Sequence, residues 1–155
     1  MAAMTVVVLA SSLSACSPST SSPNYYPTTC PTAADARPTL GDVVLESAGK
    51  RTGAYVCVYV RKGVDVDLIF APGGATSIAQ FRSQERSYQK LTYYRTTNLS
   101  GIGTAAYEFG GFDSQVNVIA WVDPYQVDLS ERGTSLGNVE AFLRVAISQA
   151  KGVSG

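Results

Sequence analysis

The chain has 155 residues, of which 12 are basic and 12 acidic, so its formal net charge is zero. Charges of both signs are interspersed, and the sequence therefore lacks the basic cluster that nucleic acid or an anionic lipid surface requires. The chain contains no histidine, which excludes a Ser-His-Asp or Cys-His catalytic arrangement.

The first fifteen residues have the character of a signal peptide. Their apolar core around Val6 to Leu9 is too short for a bilayer, which takes about 20 apolar residues to cross. Leu13, Ser14 and Ala15 then precede Cys16, and this order resembles the bacterial lipobox, in which the cysteine thiol receives a diacylglycerol. The sequence predicts a signal peptide over residues 1–15 and a lipidated Cys16; the alternative is an uncleaved apolar tail with an ordinary free cysteine.

A tract rich in serine, threonine and proline follows Cys16. No charged residue occurs from Ser17 to Ala34, and such a tract buries too little apolar surface to offset the entropy of ordering it. Residues 16–29 are therefore predicted to be a lipidated, flexible tether. Residues 30–152 have the length of one globular domain.

Two cysteines remain if Cys16 carries lipid. In an exported chain Cys30 and Cys57 favour a disulfide, which would stabilise the domain by about 3 to 4 kcal/mol on the chain-entropy model. The alternative is a pair of buried free thiols. Two isolated cysteines without histidine do not make a zinc site, and no metal or cofactor is predicted.

Hydrophobic periodicity predicts strands and helices along residues 30–152. Thr32 to Leu40 could form one helical turn, since Pro38 would stop a longer helix. Strands are predicted at Asp42 to Ser47, Ala54 to Arg61 and Val64 to Ala71, followed by a meander of Tyr107 to Gly110, Gln115 to Val122 and Tyr125 to Ser130. Amphipathic helices are predicted from Thr76 or Ser77 to about Thr92 and from Leu136 to Ala150.

These elements indicate an α+β fold, in which two amphipathic helices cover one face of a mostly antiparallel sheet. Within the third predicted strand, Asp65 and Asp67 share the face opposite the apolar one. They could act as an acid and base or hold a cation, but a solvated face is the expected arrangement.

Two short motifs match signatures of enzymes or cofactor sites. Ser87 to Lys90 fits S-x-x-K but lacks the companion motifs of penicillin-binding enzymes. Gly101 to Ala106 fits G-x-G-x-x-A, yet a strand rather than a helix is expected after it, so it is interpreted as a glycine turn. Neither motif predicts a site.

The combination of these features resembles the lipoproteins of unknown function found in actinobacteria. The resemblance rests on the lipobox ending at Cys16, the tether, Cys30 and Cys57, the turn at Gly101 to Ala106, the meander and the terminal helix, and it covers most of residues 13–150. The sequence departs from that pattern because no Lys or Arg precedes Arg37. The resemblance implies a domain anchored by lipid to the outer face of the cell membrane, and it implies no catalytic residues.

Aromatic side chains occur in two predicted strands on a face that should be polar if helices cover only the other side of the sheet. Tyr55 and Tyr59 share one face of their strand, and Trp121 lies in the meander. Either the Cys30 segment and the first helix cover these rings, or the rings line a groove or a partner surface. We therefore expect a non-enzymatic binding or interaction module for an envelope protein, with a carrier of lipid or another apolar molecule as the alternative.

Overall fold

The computed structural model describes residues 26–72, 77–91, 95–110 and 115–152. The described residues form three helices and seven strands. In chain order these are α1 (Ala33–Leu40), β1 (Val44–Arg51), β2 (Ala54–Arg61), β3 (Val64–Pro72), α2 (Ile78–Gln89), β4 (Arg95–Leu99), β5 (Ala105–Gly110), β6 (Gln115–Trp121), β7 (Tyr125–Arg132) and α3 (Leu136–Gly152). The signal peptide predicted for residues 1–15, Cys16 and most of the predicted tether lie outside the described residues.

All seven strands join one antiparallel sheet in the order β1-β2-β3-β7-β6-β5-β4. The predicted α+β class with an antiparallel sheet is confirmed, although there are three helices rather than two. The predicted meander corresponds to β5, β6 and β7. Pairing of β3 with β7 places the first three strands beside this meander.

The first face of the sheet carries α1 and α3. α3 contacts α1, β6 and β7, and its Phe142 packs edge-on against Tyr59 of β2 with ring centroids 5.4 Å apart. The apolar stripe of α3 that the sequence predicts is buried here: Val139, Phe142, Leu143, Ala146, Ile147 and Ala150. Burial of this stripe stabilises the fold because each large apolar side chain contributes about 1.5 to 3 kcal/mol.

The second face carries α2, which packs on β4 and β5. Phe81 of α2 is fully buried in a cluster with Tyr107, Ile119 and Trp121. The expectation that both predicted helices cover one face is therefore wrong. Its physical reason is that β6 carries large apolar side chains on both faces, Val118 on the first and Ile119 and Trp121 on the second, so both faces must be removed from water.

Residues that precede Cys30 also contact the core. Tyr26 packs against the main core and Pro27 is buried. α1 then begins at a capping box, in which the Thr32 side chain accepts from the Asp35 backbone and the Asp35 carboxylate accepts from Thr32. The helix runs for eight residues with Pro38 inside it, longer than the single turn expected, because α3 packs along it.

Candidate functional site

The predicted cysteine pair is formed. The sulfur atoms of Cys30 and Cys57 lie 2.09 Å apart, at disulfide distance. Beside them the hydroxyl of Tyr59 donates a hydrogen bond of 2.7 Å to the carbonyl oxygen of Pro31. Both contacts hold the segment before α1 against β2.

Tyr55, Tyr59 and Trp121 do not lie on one common face of the sheet. Tyr59 is completely buried in the core beneath α1 and α3, and Tyr55 packs against the same core. Trp121 is 7% exposed and lies on the opposite face, beneath α2. The strand register explains this separation. Leu68, Leu129 and Val118 align on the first face of the sheet. Trp121 is three residues beyond Val118 in β6, so its side chain points to the second face.

A row of polar side chains occupies the second face beside α2. No described helix packs over β3 and β7 on this face. The register aligns Asp67 of β3 with Ser130 of β7 and Asn117 of β6. Asp128 is two residues from Ser130 and therefore points to the same side of the sheet. We call Asp67, Asp128, Ser130 and Asn117 the acidic groove.

Amide side chains fix the positions of the polar groups in the acidic groove. Gln115 Nε2 donates to Ser130 Oγ at 2.6 Å and to Asn117 Oδ1 at 3.0 Å. Gln126 Nε2 donates to Asp128 Oδ1 at 2.8 Å. These bonds use groups within β6 and β7, so the geometry of the groove is set by the sheet itself.

Two cavities meet in the acidic groove and share Asp67 and Ser130. The smaller has a volume of about 200 Å³ and reaches Asp128, Asn117 and the rings of Tyr88 and Phe109. The larger, of about 410 Å³, extends to the other end of β3 and β7, where its lining includes Asp65, Gln115 and Arg132. The smaller cavity thus combines carboxylates with aromatic surface, and the larger one is mainly polar.

Burial changes the acidity of both groove carboxyls. It raises the pKa of Asp128 to about 6, and the hydrogen bond from Gln126 opposes this rise. Burial also raises the pKa of Asp67, aided by the neighbouring Asp65 charge and opposed by Arg51. Asp65 is exposed, whereas Asp67 is partly buried, so the solvated face expected for both residues holds for Asp65 alone.

Buried polar atoms also lie beneath α2, next to the groove. The Tyr107 hydroxyl and Trp121 Nε1 are buried and have no hydrogen-bond partner among the described residues. Burial raises the pKa of Tyr107, and the charges of Tyr88, Asp128 and Glu85 add to the rise. Ile119 separates Tyr107 from Asp128 in the strand register.

Sequence reasoning missed Asp128 and Ser130. The signal was present, because the predicted strand from Tyr125 to Ser130 places Gln126, Asp128 and Ser130 on one face by simple alternation. The proximity of Asp67 was not available from that pattern, since it depends on β3 pairing with β7. The assembled groups can accept hydrogen bonds and attract positive charge, and Asp128 can exchange a proton near pH 6.

Comparison of the chain with protein-family models, with curated proteins and with solved structures gives no match. In the described part of the chain, no helix has the length and apolar character needed to span a membrane. The same residues include no group of three or more His, Cys, Asp or Glu side chains placed to hold a metal ion. The site is therefore interpreted from its own geometry.

Proposed function

We propose that the chain is an exported, lipid-anchored lipoprotein of the cell envelope that acts as a binding module through the acidic groove. The observation that supports binding is the groove itself, where partly buried carboxylates and a cavity lie over β3 and β7, beside the part of the second face that α2 covers. A cysteine pair at disulfide distance is typical of proteins outside the cytoplasm.

Anchoring is tested by the mass of the mature N-terminus recovered from native membranes. The expected species begins at Cys16 and carries the added mass of diacylglycerol, and Cys16→Ser abolishes this mass. Recovery of the unmodified full-length precursor from the cytosol, with Cys30 and Cys57 reduced, would contradict the proposal.

The binding surface is tested in cells by photo-crosslinking. A photoreactive amino acid replaces Asp65, which is exposed at the rim of the larger cavity, or Asp42, which is exposed elsewhere on the chain. We expect one defined envelope adduct from position 65 and none from position 42. Equal labelling from the two positions would remove the groove as the binding surface.

A purely apolar cargo, as a lipid carrier requires, fits the groove less well. The smaller cavity has room for a small hydrocarbon group but is also lined by two carboxylates, and burying a carboxylate against hydrocarbon is costly. Mass spectrometry of organic extracts from the purified protein separates the two functions. A stoichiometric lipid in these extracts would favour the carrier.

A further inference from the structure

The lining of the smaller cavity selects the charge of a ligand. Asp67 and Asp128 both line it, and none of the described residues that line it is Lys or Arg. An anionic group would be repelled by these carboxylates. A cation would be attracted, and more strongly than in water because the site is partly buried.

The other side of the same cavity is apolar. The rings of Tyr88 and Phe109 stack with centroids 4.7 Å apart and an interplanar angle of 16°, and the side chain of Ile69 lies beside Asp128 in the register. Aromatic faces carry negative charge density that attracts ammonium groups, and they also pack well against hydrocarbon. The cavity therefore suits a ligand with both a charged and an apolar part.

Tyr107 lies beneath α2 in the same row of the strand register as Asp128, with Ile119 between them. The Tyr107 side chain is fully buried, and its hydroxyl lacks a hydrogen-bond partner among the described residues. A buried hydroxyl without a partner carries a free-energy penalty. Tyr107 does not line the smaller cavity, so the ammonium site rests on Asp67 and Asp128 alone.

We propose that the acidic groove binds an organic cation of the alkylammonium class. Asp67 and Asp128 hold the ammonium group, and the hydrocarbon part packs against Tyr88 and Phe109. This assignment rests on the proposed binding function and specifies its ligand chemistry. A neutral polyhydroxyl ligand would use the same carboxylates and Asn117 as hydrogen-bond partners, but it would bring no positive charge to either carboxylate.

The test compares a cation with a neutral ligand of the same size and with a neutral polyhydroxyl ligand. Purified full-length chain is titrated with n-butylammonium, with 1-butanol and with glucose at pH 7.5, and binding is followed by the backbone amide shifts of Asp67, Asp128 and Ser130. Because charge attraction at a partly buried site is worth a factor of ten or more, we expect butylammonium to bind at least about tenfold more tightly than butanol. Equal affinities for these two ligands, or tighter binding of glucose, would overturn the proposal.

A matched pair of variants assigns the effect to the groove. Asp128→Asn keeps the shape of the side chain and removes its charge, so it is expected to weaken butylammonium binding about tenfold. Asp42→Asn, at an exposed side chain paired with Arg37, is expected to leave binding unchanged. Equal affinities in the two variants, both folded by circular dichroism, would overturn the assignment. These titrations use purified protein, so a negative result would not bear on the proposed lipid anchor. Likewise, an unmodified Cys16 in native membranes would not bear on the proposed ammonium site.

Discussion

The carboxyl of Asp128 lies between Ile69 of β3 and Ile119 of β6 in the register of the sheet. It accepts a hydrogen bond from Gln126 and takes part in none of the ion pairs found among the described residues. Glu131 offers a contrast, because it is fully buried but bonds to Arg61 and to the backbone of Thr134. A buried carboxylate without a cation destabilises the native state at pH values where it is ionised.

Replacing Asp128 by asparagine is expected to stabilise the protein at pH 8. The native pKa of about 6 exceeds the ordinary value of 3.8, so the native state binds more protons than the unfolded state between these values. The free energy of unfolding therefore falls as the pH rises from about 4 to 6 and stays lower above it. Asparagine carries no charge, so it avoids this loss. We expect Asp128→Asn to raise the free energy of unfolding by about 1 to 2 kcal/mol at pH 8, a figure reduced to allow for partial exposure, and to leave it unchanged at pH 4.

Urea denaturation at the two pH values measures this difference, with Asp42→Asn as the control for loss of an exposed charge. A gain of equal size at pH 4 and pH 8 would show that the effect comes from packing rather than from ionisation. Loss of stability at pH 8 would contradict the electrostatic account of the groove.

The turn between β4 and β5 depends on the two glycines of its G-x-G motif. Gly101 and Gly103 have φ values of +70° and +56°, in the region that favours glycine. Their surroundings differ. A Cβ atom at Gly103 would lie 2.5 Å from the carbonyl oxygen of Trp121, whereas one at Gly101 would have no neighbour within 4 Å. The Thr104 N–H donates to this same carbonyl at 2.7 Å, so the close approach joins the turn to β6.

Gly103→Ala is therefore expected to be more damaging than Gly101→Ala. Each substitution places an L side chain at positive φ, which costs about 1 to 2 kcal/mol. Only Gly103→Ala must also displace the turn from β6, and we expect a further loss of about 1 to 3 kcal/mol from the resulting strain. Thermal and urea unfolding of both variants measures the difference, and equal losses would contradict the proposed role of the close approach.

The elements that the sequence predicts well are those whose pattern is local. β3 and α3 follow from the period of their apolar residues, β2 follows from its content of Tyr and Val, and Ser77 caps α2 as expected. β4 was not predicted because Arg95 to Leu99 has no alternating apolar pattern, and its extended form comes from pairing with β5. The side of the sheet that α2 covers and the proximity of Asp67 to Asp128 also depend on strand order, which the periodicity of one strand does not contain.

At the scale of the whole molecule, unequal covering of the sheet creates the groove. α1 and α3 cover the first face, while α2 covers only the β4–β6 side of the second. The bond between Cys30 and Cys57 and the hydrogen bond from Tyr59 to Pro31 both belong to the first face. The cysteine pair and the acidic groove therefore lie on opposite sides of the sheet. We expect that the pair can be removed without changing ligand contacts in the groove.

The double variant Cys30→Ala, Cys57→Ala is expected to lower the free energy of unfolding and to leave the groove unchanged. The two cysteines are 27 positions apart, and for a loop of this length the chain-entropy model gives a loss of about 3 to 4 kcal/mol. Because Cys57 lies on the face opposite Asp128, the pKa of Asp128, followed by carboxyl NMR below the unfolding transition, is expected to remain about 6. Cys16→Ser, which leaves the bridge intact, is the control and is expected to change neither quantity. If the double variant lost less than about 1 kcal/mol, the bridge would contribute little to the fold; if the pKa of Asp128 moved with it, the two faces would be coupled through the sheet.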